Sequence, residues 1–151
     1  MGSGADVAKE IAAAVASATR EFAEADMLEL GLLAQQIITL RTKKGIDADR
    51  VPFAPYTKNY AAQRQRSGRS GTTVDLAVTG HMQGAENVSA TKDEAVISFA
   101  ASRQAEIASY LNYGTRKMPK REWFDVRHPD EIAVMEEAIG TALQGRVEKI
   151  R

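Results

Sequence analysis

Asn87-Val-Ser-Ala-Thr-Lys-Asp-Glu-Ala-Val-Ile-Ser-Phe-Ala100 is the stretch on which the fold turns. Two short runs holding Val88, Val96, Ile97 and Phe99 flank Lys92-Asp93. That is the composition of a β-hairpin, although Lys-Asp is a weaker turn signal than Asn-Gly. Just upstream, Thr72-Thr-Val-Asp-Leu-Ala-Val-Thr79 alternates Val74, Leu76 and Val78 with Thr73, Asp75 and Ala77, which predicts a half-buried strand. Gly80 then turns the chain into a short helix.

Helical periodicity surrounds this β region. Val7, Ile11, Val15, Ala18 and Phe22 form one apolar stripe on a helix from about residue 6 to 23. Leu30, Leu33, Ile37 and Leu40 form a second stripe with its own phase, and the break falls around Glu24 to Asp26. This helix ends near Lys43-Lys44-Gly45, basic residues followed by the glycine that a helix terminus prefers. Thr57 caps a helix over about residues 58 to 66, and Ser102 to Asn112 is amphipathic through Ile107, Tyr110 and Leu111. His128-Pro129-Asp130-Glu131 opens a last helix striped by Ile132, Met135, Ile139, Leu143 and Val147.

The order predicts a single α+β domain over residues 1–151, with a small antiparallel sheet of about three to four strands packed by N-terminal and C-terminal helices. Residues 1–5 are expected to be mobile. So is a basic loop at about residues 64–72, where Ser67-Gly-Arg-Ser-Gly71 offers little to bury. A chain of 151 residues buries roughly two thirds of its unfolded surface, enough for one core. The absence of cysteine excludes disulfides, thiolate metal sites and Cys nucleophiles. The N-terminus lacks the basic start of a signal peptide, and no stretch has the length and apolarity of a membrane span.

The net charge is zero, but it averages opposed patches. Residues 1–40 hold two basic against six acidic residues, residues 41–70 eight against two, and residues 115–127 five against two. Alternation of this kind suits head-to-tail contact between copies of one chain.

The catalytic inventory is thin. His81 and His128 stand far apart and outside any HExxH-like spacing, and there is no GxSxG, P-loop or dinucleotide fingerprint. Asp47 and Asp49 resemble half a calcium loop without its Gly and Glu. The reading is therefore non-enzymatic, with no catalytic residue, cofactor or metal. Nucleic-acid binding carries more weight. Arg41, Lys43, Lys44, Arg50, Lys58, Arg64, Arg66 and Arg69 interleave with Phe53, Tyr56 and Tyr60, able to contact phosphates and stack on bases. Zero net charge and the lack of a recognisable motif oppose it. Tyr110-Leu-Asn-Tyr-Gly-Thr-Arg-Lys-Met-Pro-Lys-Arg-Glu-Trp-Phe124 reads as a docking element, since aromatic and Arg residues concentrate at the centres of interfaces.

Four segments, in this order, carry a resemblance. They are Ile38-Thr-Leu-Arg-Thr-Lys-Lys-Gly-Ile-Asp47; Val51-Pro-Phe-Ala-Pro-Tyr56 with Tyr60 following; Val74-Asp-Leu-Ala-Val-Thr-Gly-His-Met82; and Tyr113-Gly-Thr-Arg-Lys-Met-Pro-Lys-Arg-Glu-Trp-Phe124. Together they resemble the tail-completion, or virion-morphogenesis, proteins of tailed bacteriophages, over roughly residues 30 to 140. That family typically has a G-x-D-x-x-G-x-x-F-x-P-Y loop, a D-L-x-x-T-G-x-M segment and a late Y-G-T … P-x-R-x-F segment before the last helix. Here Arg50 stands where the loop often has Gly, and Lys120-Arg-Glu-Trp123 where a small residue and Pro are common.

The resemblance implies a ring in the virion neck, sixfold or twelvefold, assembled in the host cytoplasm. Its partners would be further copies of the chain, a head-closure or connector protein, and a tail terminator or tail tube protein, with no membrane. Tail terminator and head-closure connector are adjacent roles; a non-specific nucleic-acid-binding protein is the alternative of another class. The expected interface residues are Tyr113, Arg116, Lys117, Arg121, Trp123, Phe124, Phe53 and Tyr56. Arg64, Arg66 and Arg69 are expected to touch packaged DNA or a neighbouring subunit.

Overall fold

The computed structural model describes Lys9 and residues 23–77 and 83–148. The expected first helix, the mobile N-terminus, and Val78 to Met82 lie outside these residues, apart from Lys9.

Helix α1, Glu24–Lys43, starts where Ala23 is extended, and its first turn is closed by Asp26, whose carboxylate accepts the Ala23 N–H at 2.9 Å. Glu24 and Asp26 sit at the positive end of the helix dipole and Arg41 and Lys43 at the negative end. The helix stops in a Schellman arrangement: Gly45 donates to the Thr42 carbonyl at 2.9 Å and Ile46 to that of Arg41 at 3.3 Å. Gly45 supplies the positive φ, 78°, that this ending needs.

The hairpin forms as expected. Strand β1, Glu86–Ala90, pairs antiparallel with β2, Ala95–Phe99, matching Val88 with Ile97 and Glu86 with Phe99. Thr91 makes the Lys92-Asp93 turn workable, because its hydroxyl accepts from the Asp93 and Glu94 amides at 3.3 and 3.2 Å. Among the described residues the sheet has two strands. The expectation of three to four is corrected at residues 72–77, which form no strand. Val74 and Leu76 are buried as the alternation predicted, but Leu76 takes a left-handed φ of 55° that breaks the extended path. Asp75 folds back locally, accepting the Ala77 amide at 3.0 Å.

Helix α1 packs on both strands. Its buried seam is Gly31, Ile38, Arg41 and Thr42, one position out of phase with the expected stripe, and Leu40 is 51% exposed. Gly31 explains the rotation. A Cβ there would lie 2.7 Å from Val88 Cγ1 and 3.0 Å from Ala95 Cβ, so the missing side chain is what lets helix and hairpin close.

Helix α2, Lys58–Arg66, is capped by Thr57, which accepts from the Tyr60 amide at 3.4 Å. Helix α3, Ser102–Tyr113, packs on β2, and helix α4, Pro129–Glu148, packs on α1. Ile38, Phe53, Val74, Leu76, Ala108 and Trp123 form the core, with Ile97, Phe99 and Leu111 against it. Among the described residues no helix is long and apolar enough to cross a membrane.

Glu86 is a polar intrusion into this packing. Both its carboxylate oxygens are buried, and burial raises its pKa against the opposing pull of the Gln35 side chain. A raised pKa means that the fold prefers the neutral acid. Its stabilisation is complete below the ordinary carboxylate range and is lost as pH rises through the raised value. Glu86→Gln is expected to stabilise the protein by about 1 kcal/mol at pH 7, a rise in Tm of about 2–4 °C. Thermal melts at pH 7 and pH 4 check this, since the difference should shrink at the lower pH.

Candidate protein-interaction surface

The late segment divides into an inner part and an outer part. Trp123 is 0% exposed, its indole N–H donating to the Ala108 carbonyl at 3.4 Å. Its ring meets Phe124 at 5.1 Å and Phe99 at 6.2 Å between centroids. Asn112, on α3, pins the segment by accepting from the Trp123 and Phe124 amides, each at 3.1 Å.

Arg121 is also inside, 6% exposed, donating to the Ala54 and Pro55 carbonyls at 3.0 and 3.3 Å. Tyr56 lies between two guanidinium groups, Arg64 at 4.8 Å and Arg121 at 5.4 Å from its ring centroid. Burial pushes the Tyr56 phenol's pKa up, although the Arg64 charge opposes the shift. Arg64 is 3% exposed, and it donates to the Ser70 and Ala77 carbonyls and to Asp75 at 2.8, 2.6 and 2.8 Å.

The basic loop is therefore tied down. Ser70 Oγ accepts from the Thr72 and Thr73 amides, and a Cβ on Gly71 would lie 2.8 Å from the Ala61 carbonyl. The loop expected to be flexible over residues 64–72 thus begins inside α2, at residues 64–66, and carries these contacts beyond it. Arg64 directs all three guanidinium nitrogens into the fold. Arg66 and Arg69 remain exposed.

The outer part is a turn. Thr115 and Met118 exchange backbone hydrogen bonds of 3.0 and 3.2 Å, and the Thr115 hydroxyl accepts from the Lys117 and Met118 amides. Gly114 makes it possible: its φ is 75°, and a Cβ would stand 2.9 Å from the Lys120 nitrogen. The turn presents Tyr113, 75% exposed, beside exposed Arg116 and Lys117. Among the described residues neither cation has a carboxylate within ion-pair distance.

Of the expected interface residues, Tyr113, Arg116 and Lys117 thus face solvent. Phe53, Arg121 and Trp123 are core, and Tyr56 and Phe124 are half-buried against it. No protein-family model matches this chain, and no curated protein or solved structure matches it either.

Sequence reasoning missed the ion pairs that tie the site to the helices. Arg41 Nη1 donates to Glu131 at 2.6 Å, and Nη2 donates to the Trp123 and Asp125 carbonyls, both at 2.6 Å. Arg127 gathers Asp49, Asp125 and Glu122 at the surface, and Lys120 also pairs with Glu122. The hydrogen bond from Arg127 holds the Asp49 carboxyl below its usual range. The buried partners stand 82 to 90 positions apart, beyond any local pattern. Among the described residues no group of three or more His, Cys, Asp or Glu side chains could hold a metal ion.

Proposed function

We propose that this chain is a non-enzymatic structural component of a tailed-bacteriophage neck, a ring-forming tail-completion protein that joins the tail to the DNA-filled head. The observation that carries this reading is the convergence of the resembling segments on one scaffold. Ala48 of the first loop donates to the Glu122 carbonyl at 2.8 Å, and Arg121 bonds Ala54 and Pro55. Arg64, over Tyr56, bonds Asp75 of the Asp75-Leu76 segment. Segments widely separated in sequence thus brace one another.

Arg50 adds a second support. It takes φ 62°, the left-handed conformation that suits glycine, at the position where the family loop often carries Gly. Asp47 braces that turn by accepting the Asp49 and Val51 amides at 2.9 and 2.8 Å. The nucleic-acid alternative loses ground because Phe53, Arg41 and Arg64 are buried. Arg66 and Arg69 offer the ring a contact for packaged DNA or for a neighbouring subunit.

Deleting the chain from the genome that encodes it, followed by electron microscopy, tests the reading. Filled heads beside unattached or overlong tails are expected. Intact, infectious virions would overturn it.

A further inference from the structure

A groove of about 450 Å³ lies between α1 and α4, open to solvent and lined by acidic and apolar side chains. Glu29 and Glu137 supply the carboxylates, while Leu33, Val134 and Ala138 supply the apolar lining. Val134 is 46% exposed, a large apolar side chain left open to solvent. Among the described residues neither Glu29 nor Glu137 has a cation within ion-pair distance.

The Tyr113 turn has the opposite character, presenting one exposed aromatic ring and two exposed cations on a braced support. We infer that the turn of one copy docks in the α1–α4 groove of the next, Tyr113 against Leu33, Val134 and Ala138, and Arg116 and Lys117 against Glu29 and Glu137. The inference rests on the ring reading above and names its contact. Charge complementarity selects a second copy as the occupant. The two surfaces lie on different elements, since α4 packs on α1 and α3 packs on β2. With the turn of each copy seated in the groove of the next, the contact is head-to-tail, the kind that closes a ring when repeated.

Charge reversal tests it in the deleted phage, complemented with plasmid-borne copies. Arg116→Glu/Lys117→Glu makes an acidic turn face an acidic groove, and Glu29→Lys/Glu137→Lys makes a basic turn face a basic groove. Each double variant should lower the yield of joined particles more than about tenfold. Producing both together, or combining all four substitutions in one chain, should restore the yield, because every turn can then meet a groove of opposite charge. Circular dichroism on each purified variant verifies folding, as all four side chains are at the surface or on the groove wall. Either double variant matching the wild type, or no rescue by the combinations, overturns the groove contact alone. Joined particles at the wild-type level without any complementing copy overturn the ring reading itself.

Discussion

Arg41→Met is expected to lower the unfolding free energy by about 3–5 kcal/mol, the cost of breaking a buried ion pair from one side. The Arg41 side chain is 4% exposed and that of Glu131 5%, so water cannot replace the lost partner. Without the guanidinium, the Trp123 and Asp125 carbonyls lose donors as well, and among the described residues only Arg50 Nε, at 3.7 Å, remains near Glu131. Arg41→Lys should recover only part of the loss, because a single ammonium cannot span three acceptors as the planar fork does. Arg41→Met/Glu131→Leu should be less destabilised than Arg41→Met, since no charge is then stranded. Urea titrations followed by circular dichroism measure all three. An Arg41→Met midpoint close to the wild type, at an unchanged slope, would refute this role for Arg41.

These contacts mark where sequence reading succeeds and where it ends. Helix starts and stops were legible because they are local: Thr57 caps α2, Gly45 ends α1, and Pro129 opens α4. The hairpin was legible for the same reason. The third strand failed on one residue, since nothing in the alternation around Leu76 announces a left-handed φ. The seam of α1 was misplaced because Gly31 has no hydrophobicity to register, yet it sets the closest approach to the hairpin. In the site, arginines read as contact residues from their type alone. Arg64 and Arg121 turned inward because backbone carbonyls and the Tyr56 ring await them there, a pairing visible only once the chain is folded.

Trp123→Ala is expected to cost about 3–5 kcal/mol, through lost transfer energy and the cavity left behind. That is a large share of the roughly 5–15 kcal/mol that holds a domain together. The ring is wholly buried among Phe99, Phe124 and α3, so few neighbours can relax into the space without disturbing the hairpin or the Asn112 clasp. Trp123→Phe should cost less, because it keeps an aromatic body and gives up one long hydrogen bond, 3.4 Å to Ala108. Trp123 is the only tryptophan, so wild-type fluorescence reports this site alone and should be blue-shifted and shielded from iodide. Emission at the wavelength of a solvated indole would contradict the burial. Trp123→Ala and Tyr113→Ala together separate stability from display. If the core holds the Tyr113 turn in place and the chain has the proposed neck role, Trp123→Ala should weaken joining of heads and tails even at temperatures where circular dichroism still shows a folded chain, whereas Tyr113→Ala should weaken joining with almost no change in Tm.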